Sequence, residues 1–288
     1  MTDTVNVPEV FDRKLRRLVR DRAYAREHGK DFLSRIMADE ILERLDVVKR
    51  TFQRVLIIGL SAEGLGNALE ARGMQVIYAD SSVQVTKALG GILCDDDRLP
   101  FADHSFDLII NIGSLDTVND LPGALVLCRR ILVPDGLLLA ALIGAESFPS
   151  LKSVIIEAEG DRVSSHFHPQ IDVRTAGDLM ARAGLTIPVA DSDTLNLNYS
   201  GLDRLISDIR DVGGSNIMSG IRPAIGRNIY NRMISGFDAR TSADGKFSEV
   251  VTILYLCAWA PHPDQPKPAR RGSGQVSLKT TLSPNTEE

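Results

Sequence analysis

Apolar positions along the chain follow two different periods. From Phe11 to about Arg50 the spacing is helical: Phe11, Leu15 and Leu18 fall at i, i+4 and i+7, and Phe32, Ile36, Ile41 and Leu45 resume an apolar face after a break at His28-Gly29. From Val55 onward short continuous apolar runs take over. Val55–Ile58, Val76–Ala79, Ile92–Cys94, Asp107–Ile112 and Leu137–Ile143 read as strands, the first of them buried on both faces. Helix-length segments at Glu63–Arg72, Val83–Leu89 and Leu121–Leu132 separate them. Strands alternating with helices make parallel units with right-handed crossovers, which predicts an open, doubly wound α/β sheet.

After Pro149 the regularity falls. Helices are predicted over Leu151–Glu159, Arg174–Ala183 and Gly201–Val212, with a strand over Leu185–Val189 and a Gly/Ser-rich stretch after the last helix. Val250–Trp259 is apolar, β-branched and aromatic and follows an Asp244-Gly245 turn, so it reads as a final strand pairing antiparallel with its neighbour. The organisation expected is an N-terminal helical cap over 1–50, a sheet domain over 51–260 with helical insertions at about 145–245, and a flexible tail over 261–288 rich in Pro, Gly and Ser.

Composition changes this picture in one respect. With 43% apolar and 25% charged residues the chain is ordinary for a globular protein, and its net charge of −5 argues against dedicated non-specific nucleic-acid binding. The cations are unevenly spread, however. Arg13, Lys14, Arg16, Arg17, Arg20, Arg22 and Arg26 crowd one helix and are opposed there only by Asp12 and Asp21. Such a 13–26 face is either a solvated surface or a docking surface for an acidic client protein or anionic membrane lipid. Cys94, Cys128 and Cys257 sit in apolar stretches without CxxC spacing and read as reduced core residues. No secretory pattern opens the chain, and the longest apolar run, Leu137–Ile143, is far short of the roughly 20 residues a membrane span needs. A cytoplasmic protein, or one peripheral to the inner membrane, is the expectation.

In doubly wound sheets ligands bind at the carboxyl ends of the strands, beside the point where the strand order reverses. After the first strand, Gly59-Leu60-Ser61-Ala62-Glu63-Gly64 is a small-residue turn that would let backbone N–H groups approach an anion. Asp80, followed by Ser81-Ser82, ends the second strand; it is suited either to hold two ribose hydroxyls or to cap the next helix. Asp95, Asp96 and Asp97 follow the third strand, where a carboxylate would accept a bond from an adenine amino group, or form a solvated loop. Asn111, Gly113 and Ser114 follow the fourth, near where a transferred group would lie. The cofactor-binding candidates are therefore Gly59, Ser61, Asp80, Ser81, Asp95, Asp96, Asn111 and Gly113, arranged for a nucleoside. No general base or other catalytic residue is assigned. His166-Phe167-His168-Pro169 is a close histidine pair that reads as a surface or cleft loop before a metal site. Tyr199 reads as lining the cleft or packing in the core.

Asp95-x-x-x-Leu99-Pro100-Phe101-x-Asp103-x-Ser105-Phe106-Asp107 and Leu132-Val133-Pro134-Asp135-Gly136 resemble the signatures around strands three to five of class I S-adenosylmethionine (SAM) dependent methyltransferases. More narrowly, four features resemble the NADH dehydrogenase (complex I) assembly factor 5 family. They are Phe11-Asp12-Arg13-x-Leu15, Val118-Asn119-Asp120-Leu121-Pro122-x-Ala124-Leu125, Ala183-Gly184, and Trp259-x-x-His262-x-x-Gln265-x-x-Pro268-x-x-Arg271-Gly272-Ser273. The resemblance spans nearly the whole chain. It implies a mostly parallel seven-stranded sheet with a final antiparallel strand, S-adenosyl-L-methionine as cofactor, and a protein client in complex I assembly, such as a complex I subunit, modified by methylation or arginine hydroxylation.

The sequence departs from that pattern at the first glycine motif, where Ile57, Ser61 and Glu63 replace an acid and two glycines. A Glu63 carboxylate about 4 Å from the cofactor's own would repel it by roughly 4 kcal/mol at an effective dielectric near 20. Asp116-Thr117 likewise replaces the family's His-Trp. These departures motivate a rival reading, a non-catalytic assembly factor that has lost SAM binding; a small-molecule methyltransferase is the third.

Overall fold

A computed structural model describes residues 9–27, 31–59, 64–160, 165–220, 222 and 224–265. Helices α1 (Arg13–Glu27) and α2 (Phe32–Asp46) come first, and Asp31 caps α2 by accepting the Ser34 N–H. The sheet region follows in the order β1 (Arg54–Gly59), α3 (Leu65–Ala71), β2 (Gln75–Asp80), α4 (Val83–Leu89), β3 (Ile92–Leu93), β4 (Phe106–Ile112), a 3-10 turn (Leu115–Thr117), α5 (Leu121–Ile131) and β5 (Leu132–Ile143). Next come α6 (Pro149–Glu159), α7 (Val173–Arg182), β6 (Thr186–Tyr199), α8 (Leu202–Asp211), α9 (Arg227–Asp238) and β7 (Phe247–Trp259).

The strands form one sheet in the order β3-β2-β1-β4-β5-β7-β6. Pairing from β3 through β5 is parallel, while β7 runs antiparallel to both β5 and β6. The order reverses between β1 and β4, which fixes where a crevice opens.

Period-two side-chain alternation sends each central strand to two cores. Val55, Ile57, Leu108, Ile110, Leu137 and Leu139 pack against α2, α3, α6, α8 and α9. Leu56, Ile58, Ile109, Leu138 and Ala140 pack against α5 and α7 on the other face. Continuous apolar runs are what a sheet covered on both sides requires.

Two elements differ from the sequence reading. Helix α9 fell in a stretch assigned no structure, although Ile229, Met233 and Phe237 recur at i, i+4, i+8 and are buried. Strand β6 runs ten residues past Val189, paired along that length with β7 alone as the edge of the sheet. Pro188 is tolerated there, next to a register shift between Thr186 and Val189. Residues 266–288 of the predicted tail, with Pro268 and Arg271, lie outside the described residues.

Candidate functional site

The carboxyl ends of β2 and β3 carry a shelf of acids. Asp80 closes β2, and Asp95, Asp96 and Asp97 follow β3; Asp80, Asp95 and Asp96 are all almost fully buried. Buried carboxylates need partners, and helix α1 supplies them. Its arginines at 13, 16, 17 and 20 follow i, i+3, i+4, i+7 and so share one face.

Arg20 donates from Nε to Asp80 Oδ1 (3.1 Å) and from Nη2 to Asp80 Oδ2 (2.7 Å), and its Nη1 reaches the Gly113 carbonyl at 3.0 Å. Arg16 donates to Asp96 Oδ2 (2.8 Å) and to the Ser114 carbonyl. Arg17 donates to Asp95 (3.0 Å), and Arg13 forms a two-pronged pair with Asp97 at 2.7 Å. Asp80 Oδ1 also accepts the Ser82 N–H. Asp96 Oδ1 accepts from the Asn111 amide and the Ser114 hydroxyl. Burial alone would raise the Asp96 pKa, but Arg16, Ser114 and Arg20 outweigh it and hold it down at about 2. Burial likewise opposes the charge on Arg20, and Asp80 more than restores it, leaving its pKa above the ordinary arginine value.

This corrects the reading of the 13–26 face for four of its seven cations, while Lys14, Arg22 and Arg26 stay exposed. The arginines at 13, 16, 17 and 20 point into the shelf, and Arg16 and Arg20 are only 4% and 3% exposed. Desolvated carboxylates hold Arg16 and Arg20 there, so the charge of those two is not presented to lipid or client.

The helix is pinned at both ends. Asn119 accepts the Phe11 N–H at 2.8 Å and donates to the Phe11 carbonyl at 3.0 Å. The two motifs beginning at Phe11 and Val118 thus meet in space, 108 residues apart. The Phe11 ring stands edge-on to His168 at 5.3 Å, and the Asp12 N–H donates to the Ile217 carbonyl. Near the other end Asp21 accepts from the Ser82 hydroxyl and the Gln84 N–H.

The remaining candidates separate. Ser82, not Asp80, caps α4 by accepting the Val85 N–H, which frees Asp80 for Arg20. Ser81 is buried beside it. Asn111 is fully buried and serves by holding Asp96 from beneath. Gly59 has φ +105, and a Cβ there would come within 2.1 Å of the Ile112 carbonyl oxygen, so close packing of β1 on β4 requires this glycine. Gly113, at φ +58, has open space where a Cβ would stand. Ser61 and Glu63 lie outside the described residues; Ile57 is in the core.

Below α1, a cavity of about 400 Å³ opens at the ends of β4 and β5. Met37, Phe148, Ile155, Ile206 and Met233 give it apolar walls, while Arg20, Asp116, His166 and His168 bring polar groups to it. Arg20 therefore belongs to shelf and cavity alike. Burial raises the Asp116 pKa against the pull of Arg16 and Arg20, and its buried Oδ1 meets no hydrogen-bond donor among the described residues. His166 is engaged by Glu159 at 2.8 Å. His168 accepts the Ile217 N–H, and burial lowers its pKa to about 4, so it is neutral at physiological pH. The His-Phe-His loop is a cavity wall; among the described residues no cluster of acids, histidines and cysteines could hold a metal. Tyr199 packs in the core instead, and the three cysteines are free thiols.

Asp116 entered the sequence reading only as a departure from the family pattern, which has a histidine there, and not as a site residue, because an acid two residues before Val118-Asn119 carries no spacing signal of its own.

The strand order, parallel from β3 to β5 with β7 antiparallel beside β5, is that of a class I SAM-methyltransferase-like protein. Residues 46–140 match the family of methyltransferase domains. The zebrafish protein "Arginine-hydroxylase NDUFAF5, mitochondrial" (Danio rerio) is 30% identical over 289 residues, covering 93% of this chain and 88% of its own length. The chain belongs to that NDUFAF5 family. "Malonyl-[acyl-carrier protein] O-methyltransferase 1" of Coxiella burnetii is 30% identical over 224 residues, 76% of this chain and 78% of its own. Among solved structures, a Haemonchus contortus phosphoethanolamine N-methyltransferase 2 in complex with S-adenosylhomocysteine aligns at TM-score 0.52 and 17% identity, over 86% of this chain and 61% of that one. That likeness shows the fold.

The cytoplasmic expectation is corrected by the same comparison. The zebrafish relative and its namesakes in rat, human and mouse, each matching 93% of this chain, are mitochondrial proteins. A sequence without a recognisable secretory pattern gave no ground for the cytoplasm.

Whether the shelf takes the nucleoside of S-adenosylmethionine can be tested on its own contacts. Carboxylates are the right acceptors for ribose hydroxyls and an adenine amine. Both oxygens of Asp80, however, are bound by Arg20, and Asp95 and Asp96 are bound by Arg17 and Arg16. In this arrangement the residues do not fit the group.

Proposed function

We propose that this chain acts on a protein client in the assembly of respiratory complex I, taking an arginine side chain of that client into the cavity beneath α1. The observation that carries the proposal is Asp116. It is a carboxyl held in a largely apolar cavity, with its pKa raised by burial and its Oδ1 left without a donor among the described residues. An entering guanidinium would supply the missing donors and favour the ionised carboxylate. The aliphatic walls suit the methylene stem of an arginine. Arg20, the cation at the cavity's edge, is neutralised by Asp80.

The relatives named arginine-hydroxylase, which match 93% of this chain, support the same choice of side chain. The acyl-carrier methyltransferase relative matches 76% of the chain, and a small-molecule substrate is the alternative outcome. The nucleoside role of Asp80, Asp95, Asp96 and Gly113, with S-adenosyl-L-methionine as ligand, belongs to this proposal too. No chemical step is derived through it, because the shelf is occupied.

Peptide mass spectrometry of complex I subunits tests the reading in cells with the chain, without it, or with Asp116→Asn. One added oxygen or methylene on an arginine, lost in both altered strains, is the expected result. Subunit arginines identical in all three strains would overturn it.

A further inference from the structure

We infer that the nucleoside shelf of this fold is, in this chain, a receptor for its own helix α1, and that docking of α1 and binding of an adenosyl ligand exclude one another at Asp80. The inference rests on the nucleoside reading of the shelf given above.

Three observations carry it. First, the single stripe at 13, 16, 17 and 20 engages every acid after β2 and β3. Asp80 and Asp97 each accept two hydrogen bonds from one arginine, Asp96 accepts from Arg16, and Asp95 accepts from Arg17 with Arg13 and Arg16 also in ion-pair range. Second, the contact that matters most is fully desolvated. Arg20 and Asp80 have side chains 4% and 1% exposed, and Arg20 also caps the carbonyl of Gly113. A ribose could reach Asp80 only after the guanidinium left both oxygens. Third, Arg20 lines the cavity as well as the shelf, so withdrawing α1 would open the two together.

Helix α1 is backbone-fastened only at its first turn, to Asn119 and Ile217. Beyond it the helix is held through its own side chains, by the stripe from Arg13 to Arg20 on the shelf, Asp21 on Ser82 and Gln84, and Arg26 on Asp211 and Ser207, all of which withdrawal would break. Loss of those ion pairs leaves the anchor at Phe11 in place. When the binding-competent state is a minor one, apparent affinity falls by its population, and weakening the closed state restores it.

Titration of the full chain with S-adenosylhomocysteine, paired with hydrogen exchange of the α1 amides, tests this. Three proteins are compared: the parent, Arg20→Met, and the double variant Arg13→Gln/Arg17→Gln, which disturbs cations less buried than Arg20 and keeps the test alive if Arg20→Met does not fold. Arg20→Met should bind about tenfold more tightly than the parent and the double variant about threefold more tightly. In the parent, saturating ligand should speed exchange along α1. Equal affinity in all three with unchanged α1 exchange would overturn the inference, because helix and nucleoside would then share the shelf. Absence of binding by all three would overturn it as well, because removing the arginines would have uncovered no nucleoside site. Client modification is read separately by mass and stands or falls on its own.

Discussion

Arg20 and Asp80 lie 60 residues apart in the chain and are joined through both oxygens of a carboxylate sealed from solvent. The pair links the N-terminal helix to the end of β2, where this fold class binds its ligands. It is the innermost rung of a ladder that Arg16–Asp96, Arg17–Asp95 and Arg13–Asp97 extend toward the surface. A buried ion pair adds little net stability, since desolvation offsets attraction, but removing one partner strands the other. The ladder is therefore better suited to fixing where α1 sits than to strengthening the fold.

Asp116 should stand out as a residue kept at some expense to the fold. Its folded-state pKa is raised above the ordinary 3.8, chiefly by burial. A raised carboxyl favours folding while protonated and loses that contribution as pH climbs through its folded value. Asp116→Asn should consequently unfold at higher urea than the parent at pH 7, with the gap closing below pH 4. A variant less stable than the parent at pH 7 would show that Asp116 is a structural acceptor, not a waiting one.

Acidification should act in two windows. Burial depresses His168 from the ordinary 6.5 to about 4, so the unfolded chain binds the extra proton between those values and stability falls as pH drops from 6.5 to 4. That window is worth roughly 3 kcal/mol, at 1.36 kcal/mol per pKa unit. Asp96, held at about 2, keeps contributing until pH falls from 3.8 through 2. Urea midpoints measured from pH 7 to pH 2 check both, and His168→Gln should flatten the upper window while leaving the lower one.

The two glycines at the strand ends should behave oppositely to a simple cradle pattern. Gly59→Ala drives a Cβ to within 2.1 Å of the Ile112 carbonyl oxygen at φ +105, and should cost at least ~2 kcal/mol. Gly113→Ala meets open space and should cost only about 1–2 kcal/mol for its left-handed φ of +58. Thermal unfolding of the two variants side by side settles the order. Equal losses would mean that Gly59 is not packed on β4 as described.

The sheet was legible because its signals are local. Val55–Ile58 and Leu137–Ile143 are uninterrupted apolar runs, and the segments between them are long enough to cross over. The acids at Asp80 and Asp95–Asp97 were legible for the same reason, as they end strands. Their partners were not. Nothing near Asp80 in sequence points to Arg20, and the basic helix was read by its charge rather than its geometry. Its spacing of i, i+3, i+4, i+7 held a usable signal: four arginines on one stripe, matched by four acids at adjacent strand ends. Helix α9 was missed because Gly213-Gly214-Ser215 before it suggested a loop, while the sparse repeat of Ile229, Met233 and Phe237 is interrupted by polar residues.

A double-mutant cycle on Arg20 and Asp80 tests most directly whether α1 occupies the shelf. Urea unfolding at pH 7 of the parent, Arg20→Met, Asp80→Asn and the double variant yields the coupling between the two side chains. For a desolvated, two-pronged pair the coupling should be about 2–4 kcal/mol, each single variant losing more than the double. A coupling below about 0.5 kcal/mol would contradict the account, because the two residues would then be independent in solution and the shelf would stand open.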